Sequence, residues 1–276
     1  MKRVTLLLRR ARAFVVRDFQ LALSYRLQFI LQVLQVLFAV TTLFFISKIF
    51  AGGVVTRYSE WSDPLAAWII GLAFLNYFMT GFSSLATAIR QEQMQGTLEG
   101  VLMTPVSVPT FIVSSSAYDF VSATFFSALY LFFGWAFCGV EYHGNYFLAL
   151  LFLVSTTLVL ASLGILSASF AIVFKRGDPF GILLATGSTL FSGVFFPTQL
   201  ISEYAGSAMG RVSRILPGTY GLDGLRRVLI QGQTFDQVRQ PLFTLFAFLV
   251  VLFPFSVWVF SRAVRRAKRE GSLIQY

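Results

Sequence analysis

The sequence contains few of the residues that carry enzymatic and metal chemistry. Only 12% of its 276 residues are charged, about half the share of roughly 25% found in soluble domains. Its single cysteine, Cys138, excludes an intrachain disulfide. With the single histidine, His143, it offers too few ligands for a zinc or haem site of the usual kind. We therefore expect no catalytic residue and no metal ligand in this chain.

The lysines exclude a P-loop for ATP. That loop needs a lysine followed by serine or threonine, whereas Lys2, Lys175 and Lys268 precede arginine and Lys48 precedes isoleucine. Neither a zinc-protease HExxH motif nor a nucleophile elbow is found. We therefore expect no cofactor in this chain and no ATP hydrolysis by it.

Long apolar runs dominate the rest of the sequence. Hydrophobic residues make up 56% of it, and six runs with at most one charge are each long enough to cross a hydrocarbon core about 30 Å thick as a helix. The runs are residues 27–47, 65–89, 106–140, 146–174, 180–201 and 242–261. Strands would be shorter and would alternate. The sequence therefore predicts an all-α polytopic membrane protein with six transmembrane helices, forming one transmembrane domain over residues 1–276.

The basic residues predict the orientation of these helices. If both termini are cytoplasmic, 15 of the 22 lysines and arginines lie on the cytoplasmic side and 7 lie outside, as the positive-inside rule expects. Two termini on one side also require an even number of spans, which six satisfies. Membrane topology then explains most of the net charge of +10. The basic residues also attract anionic membrane lipids. We expect a multi-pass protein of the inner (plasma) membrane with no nucleic-acid partner.

Residues 1–24 predict a further element before the first span. Val4, Leu7 and Phe14 alternate with Arg3 and Arg10 at heptad spacing, which is typical of an amphipathic helix lying on the cytoplasmic leaflet. The alternative is an irregular basic tail that serves only the positive-inside rule.

Residues 91–104, between the second and third predicted spans, form a rare polar stretch. Their apolar positions recur with helical periodicity, and Pro105 ends the pattern. Glu92 and Glu99 would lie on the exposed face. Since a much shorter segment could join two spans, a helix here favours a docking surface for a cytoplasmic partner; the alternative is a helix that only closes the loop. The apolar positions are Met94, Leu98, Val101 and Leu102.

Residues 197–232, between the fifth and sixth predicted spans, contain apolar segments too short to cross a membrane. The sequence is interrupted at Pro217 and Gly218, so we expect one helix over residues 201–216 and another over residues 220–230. Short, interrupted helices beside spans favour an external helical hairpin that re-enters the membrane. The alternative is an ordinary external loop with two surface helices.

Polar side chains within the spans are few. Gln28, Gln32 and Gln35 lie at i, i+4 and i+7 of the first span and share one helix face. They fit a polar lining for a translocation path as well as they fit hydrogen bonds between helices. Asn76 in the second span is a single candidate of the same kind.

Three segments, in this order, resemble the membrane subunit of an ABC type-2 exporter. They are residues 90–105 (RQEQMQGTLEGVLMTP), 191–197 (FSGVFFP) and 216–232 (LPGTYGLDGLRRVLIQG). The family includes permeases for polysaccharides, teichoic acids and drugs, and the resemblance extends over essentially the whole chain.

The resemblance implies a partner for residues 91–104. In the family, the cytoplasmic helix after the second span is a coupling helix seated in a cleft of a separate ATPase subunit, which binds ATP and magnesium. Two ATPases act with two permeases, which by default are identical. The coupling residues implied here are Glu92, Met94, Gly96, Thr97, Leu98, Glu99 and Leu102.

The resemblance also implies a path and a gate. In the family, the first and fifth helices line the translocation path. The candidate path residues here are therefore the glutamines of the first span, together with Asn76. The hairpin would plug or narrow the exit. The gate residues implied here are Phe195, Phe196, Pro197, Pro217, Tyr220, Asp223 and Arg226.

The sequence thus predicts the permease subunit of an ATP-driven exporter for a lipid-linked glycan, a glycolipid or another amphipathic substrate. A drug or natural-product efflux permease is the alternative within the family. More distant alternatives are an ion-coupled secondary transporter, which would favour paired intramembrane charges or an inverted repeat, and a membrane-embedded enzyme acting on lipid-linked substrates, which would need clustered acidic or histidine residues. The sequence shows neither signature.

Overall fold

The computed structural model describes residues 26–50, 62–96, 108–174, 179–204 and 206–269. These ranges contain helices and connections but no strand, which confirms the all-α class for the described residues. The predicted interfacial helix, residues 1–24, lies outside them. The described helices are α1 (Arg26–Phe50), α2 (Pro64–Met94), α3 (Val108–Cys138), α4 (Tyr146–Phe174), α5 (Pro179–Phe191), α6 (Thr198–Tyr204), α7 (Ser207–Ile215), α8 (Pro217–Leu229) and α9 (Phe235–Arg269).

Five described helices, α1, α2, α3, α4 and α9, are long and apolar enough to cross a membrane. α5 has 13 residues, or about 20 Å of helix, which is short of the hydrocarbon thickness of about 30 Å. The prediction of one continuous fifth span over residues 180–201 is therefore wrong. α5 ends at Phe191 and Gly193 has φ +83°, a left-handed conformation that ends a helix. Hydropathy does not register this break because the residues around it are apolar.

The structure places helices over the other five predicted spans, with differences at their ends. α2 continues to Met94 and α9 extends from Phe235 to Arg269, because the polar residues that end an apolar run are good helix formers. The predicted boundary between the second span and a separate coupling helix is therefore wrong. Residues 91–94 form the last turn of α2, and a turn follows at residues 95–96.

α2 and α4 form the centre of the bundle. α4 packs on α2, α8 and α9, and α2 also packs on α3. α2 and α4 approach each other closely where Gly81 faces Gly164, since a methyl group on Gly164 would overlap the backbone oxygen of Gly81. Small residues at such crossings let membrane helices gain van der Waals contact that larger side chains would prevent.

Different helix termini lie at the two ends of the bundle. At the end here called the Arg226 end, α1 and α3 finish near the start of α2, with Val40, Leu65 and Val140 in one buried cluster. At the opposite end, here called the Arg262 end, the last turns of α2, α4 and α9 share another cluster, which includes Ile89 and Ile172. This alternation is that of an up-and-down bundle. The basic residues predict that the Arg226 end is external.

Candidate functional site

The candidate site is the junction where α5 breaks, beside the start of α2 and the last turn of α8. Arg226 on α8 is only 3% exposed and donates hydrogen bonds to three backbone oxygens. Its Nη1 donates to Gly193 (2.6 Å) and its Nη2 to Val194 (2.9 Å). Its Nε and Nη2 both donate to Ala67, at 3.2 and 2.9 Å. One side chain therefore joins α8 to α2 and to the break after α5.

The chemistry of this junction explains why an arginine is there. Residues 192–197 leave the helix after α5, and a carbonyl group freed from helical bonding is costly inside a membrane protein unless another donor reaches it. Guanidinium carries five N–H donors in a planar fork, so it can satisfy several carbonyl groups at once. Gly71 makes room for it, because a Cβ there would lie 2.6 Å from the Val194 oxygen and 3.0 Å from Arg226 Nη2.

A second side chain, this one on α2, hydrogen-bonds to the same stretch of backbone. Trp68 Nε1 donates to the backbone oxygen of Phe195 at 2.7 Å, so the residue after Val194 is also held by α2. The start of α2 is itself fixed, because the Asp63 carboxylate accepts from the backbone N–H groups of Leu65 and Ala66 at 3.0 and 3.1 Å. This is the N-cap arrangement that satisfies the free donors of a helix start. The break after α5 is therefore hydrogen-bonded to the capped start of α2.

α8 lies against α2 and α4 through three glycines spaced by three residues. A methyl group on Gly218 would overlap the Phe78 ring, one on Gly221 the Thr156 side chain, and one on Gly224 the Phe152 ring. This face lets α8 approach closely enough for Arg226 to reach the junction.

The α7–α8 corner differs from its predicted form. The sequence predicts an interruption at Pro217 and Gly218, but Pro217 is the first residue of α8, where its missing N–H costs nothing. The predicted helix over residues 201–216 is divided into α6 and α7, with Gly206 between them at φ +91°. Thr219 Oγ1 and Tyr220 Oη close the corner by donating to carbonyl groups at the end of α7, each at 2.7 Å.

The predicted gate residues do not form one surface. Phe195 is 46% exposed, whereas Pro197, Pro217 and Arg226 are buried. Phe196, Tyr220 and Asp223 are half-buried. Asp223 accepts from Arg227 Nε at 2.9 Å, one helical turn along α8.

Tyr142 lies in the connection between α3 and α4, at the same end. Its hydroxyl oxygen is buried and has no hydrogen-bond partner among the described residues. Burial, with a smaller contribution from Asp63, raises the pKa of the Tyr142 phenol far above its usual range. The phenol therefore remains neutral and serves packing. Nearby, His143 and Glu141 are paired at 3.6 Å and largely exposed.

The predicted path residues differ in exposure. Gln28, Gln32 and Gln35 are exposed along α1, which packs on α2 and α3 through the adjacent face that buries Val36 and Val40. Asn76 on α2 is half-buried. No other residue within the described ranges covers the glutamine stripe.

Only part of the predicted coupling segment lies within the described residues. Met94 is 76% exposed at the end of α2, and Glu92 is in the same last turn. Gly96 has φ +69°, and no atom of the described residues lies within 4 Å of the point where a methyl group on it would stand. Thr97, Leu98, Glu99 and Leu102 lie outside the described residues.

Sequence reasoning missed Ala67, Trp68, Gly71 and Gly193. Ala67, Gly193 and Val194 act through backbone oxygens, which no side-chain pattern reveals. The three-residue spacing of Gly218, Gly221 and Gly224 is visible in the sequence and could have identified the close face of α8.

The long apolar helices and the broken α5, held by a buried arginine, define an integral membrane protein. The family model for ABC-2 type transporters matches residues 10–230. Because this match extends over most of the chain, the protein belongs to the ABC-2 type transporter family, as a permease component and not as the ATPase. Permeases of this family work with a cytoplasmic ATPase partner. Comparisons with curated proteins and with solved structures found no match.

Proposed function

We propose that this chain is one of two identical permease subunits that export a lipid-linked glycan, a glycolipid or another amphipathic substrate from the cytoplasm or the inner leaflet. Two copies of a separate ATPase, with ATP and magnesium bound, supply the energy. The observation that carries the proposal is the junction at Arg226, together with the family. It ties the helices at the predicted external end to α5 and to the start of α2.

The junction supports a gate that moves as a unit. Arg226 and Trp68 bind α8 and α2 to the stretch from Gly193 to Phe195, so a displacement of α5 is passed to α8. Phe195 remains exposed beside these anchored groups. In the proposal, ATP-driven movement of α5 carries the anchored hairpin aside and opens the exit.

The exposed glutamines of α1 support a path between two copies. Gln28, Gln32 and Gln35 are exposed on a face of α1 about 90° from the one that buries Val36 and Val40. A second copy related by two-fold symmetry would place an equivalent stripe opposite, as isologous pairing requires. A polar seam of this kind suits the head group of an amphipathic substrate.

The end of α2 supports coupling to the ATPase. Met94 exposes an apolar side chain at the predicted cytoplasmic end, and Gly96 turns the chain at positive φ. Glu92, Met94 and Gly96 would therefore direct residues 97–104 towards the ATPase cleft.

The coupling proposal is tested by Gly96→Ala, with Gly139→Ala as the matched control. Both glycines have φ near +70°, and both have open space where a methyl group would lie. Each substitution strains the backbone by about 1 kcal/mol, but only Gly96 lies at the predicted ATPase contact. We expect Gly96→Ala to lower substrate-stimulated ATP hydrolysis several-fold in proteoliposomes that contain permease and ATPase, and Gly139→Ala to leave it unchanged.

Equal effects of the two substitutions would contradict the coupling role. The partner itself is identified by purification from native membranes in mild detergent, with mass spectrometry of the chains that elute together. A P-loop ATPase at equal stoichiometry is the expected result. Stimulation of ATP hydrolysis by a glycolipid supports the proposed substrate class, whereas stimulation by hydrophobic drugs alone assigns the efflux alternative.

A further inference from the structure

One stripe of α9 runs from apolar residues through aromatic rings to arginines. Its members follow the 4-3-4-3-4 spacing that keeps residues on one helix face. They are Val251, Phe255, Trp258, Arg262, Arg265 and Arg269. All six are exposed in the structure. The stripe lies outside residues 10–230, to which the family model applies.

The opposite face of α9 holds the helix in the bundle. Phe260, Val264 and Ala267 are at most 4% exposed, in the cluster that also contains residues of α2 and α4. The stripe therefore faces away from the helices that α9 contacts among the described residues. Its direction is fixed, because the helix carrying it is anchored on the other side.

The aromatic residues and the first arginine are arranged together. The guanidinium carbon of Arg262 lies 4.0 Å from the centroid of the Trp258 ring, a cation–π contact that orients its planar fork. Phe255 stacks on Trp258, with ring centroids 6.1 Å apart. Tryptophan favours the depth where the hydrocarbon meets the head groups, which places Arg262, Arg265 and Arg269 at head-group level and beyond.

We propose that this stripe binds an anionic phospholipid. The arginines receive the phosphate and any further head-group anion, while Phe255 and Val251 contact an acyl chain. Guanidinium suits the phosphate group because two N–H donors match two of its oxygens. Basic clusters directly after a transmembrane helix attract anionic lipid in this way.

Two other occupants fit the stripe less well. A second copy of the chain, related by a two-fold axis along the membrane normal, would face each arginine with its own equivalent at the same depth, and like charges would repel. A soluble ATPase could reach Arg269 but not Val251, which lies 18 residues earlier on the helix, about 27 Å away along its axis.

The test compares Arg265→Ala/Arg269→Ala with Arg211→Ala/Arg214→Ala. Both pairs are exposed and remove two charges, but Arg211 and Arg214 lie on α7 at the other end. The full-length protein in mild detergent is offered equal amounts of phosphatidylglycerol and phosphatidylcholine with identical acyl chains, and native mass spectrometry counts the lipids that stay bound. An arginine near an anionic surface contributes a factor of about five. We expect the preference for phosphatidylglycerol to fall by about 25-fold in the α9 variant and to persist in the α7 variant.

A second measurement tests the acyl contact. The fluorescence due to Trp258 is the difference between the parent protein and the Trp258→Phe variant. Phosphatidylglycerol brominated on its acyl chains should quench this fluorescence, and brominated phosphatidylcholine should quench it less. An equal preference for phosphatidylglycerol in the parent protein, the α9 variant and the α7 variant would overturn the proposal. Displacement of the lipid by the same concentration of inorganic phosphate would also overturn it. Loss of ATPase binding in the α9 variant with unchanged lipid preference would assign the stripe to the ATPase instead.

Discussion

The two central helices and the three peripheral long helices have similar compositions but very different surroundings. In their most apolar windows, 72% of α2 and 56% of α4 are buried, against 11% of α1 and 17% each of α3 and α9. α2 and α3 have the same mean hydropathy, 1.6. Hydropathy therefore shows that a segment enters the membrane and not whether protein or lipid surrounds it there.

A close glycine crossing distinguishes the central helices, and buried hydroxyl groups are most frequent on α4. Gly81 and Gly164 permit the close crossing of α2 and α4. Buried Thr156 and Ser169 on α4 donate to carbonyl groups four residues earlier, each at 2.7 Å, so their hydroxyls are satisfied without a second helix. The peripheral helices present large side chains outward instead, such as Trp135 on α3, which is 61% exposed.

The largest expected effect is at Arg226. Arg226→Ala leaves the oxygens of Gly193 and Val194 without this donor and removes the bonds to Ala67, which should lower stability by about 3 kcal/mol or more. The adjacent Arg227 is the matched control, since it is half-buried and paired with Asp223, so Arg227→Ala should cost at most about 1 kcal/mol. Thermal unfolding in detergent measures both. Similar losses in the two variants would show that the buried junction does not hold α8 in place.

A middle-sized effect is expected at the α2–α4 crossing. Gly164→Ala introduces a methyl group against the backbone of Gly81, and overpacking of this kind costs about 1–3 kcal/mol. Gly187 on α5 has no atom within 4 Å of the equivalent position. Gly187→Ala should therefore be neutral or stabilise by up to about 1 kcal/mol, because alanine favours helix. The unfolding midpoint should fall for Gly164→Ala and stay or rise for Gly187→Ala; a Gly164→Ala protein as stable as the parent would contradict the close crossing.

The smallest effect on stability is expected on α1. Replacing Gln28, Gln32 and Gln35 together by leucine should change stability by less than about 0.5 kcal/mol, since all three are exposed. Transport should nevertheless fall if the stripe lines the path. Thr41→Val, on another exposed face of α1, is the control and should leave transport unchanged. Flux into proteoliposomes distinguishes the two, and unaltered flux in the triple variant removes the glutamines from the path.

The sequence predicts the class and most of the long helices better than it predicts their interruptions. Residues 146–174 form α4 within the predicted bounds, because nothing in that apolar run opposes a helix. Residues 180–201 do not form one helix, because a single glycine at positive φ, Gly193, breaks it. Whether a given glycine adopts such a conformation depends on the contacts around it, and hydropathy does not contain them.

The sequence identifies the segment that forms the candidate site but does not predict how its side chains are arranged. The segment 216–232 stands out in the sequence, yet Arg226 and Arg227 are adjacent and alike there. One is 3% exposed and binds backbone oxygens, while the other pairs with Asp223. The difference arises because Arg226 faces Gly71 and the break after α5, a relation between segments far apart in the chain.

The bond between Arg226 and Ala67 also has a consequence for biosynthesis. Its two residues are 159 positions apart, and ribosomes add about 5–20 residues per second. About 8–30 s therefore pass between the synthesis of Ala67 and that of Arg226, while α3, α4 and α5 are synthesised. Until then the Ala67 oxygen has only its bond within α2, whereas the oxygens of Gly193 and Val194, outside any helix, need another donor, and α5 is too short to span alone. Membrane integration of this half of the protein is thus completed only when α8 emerges.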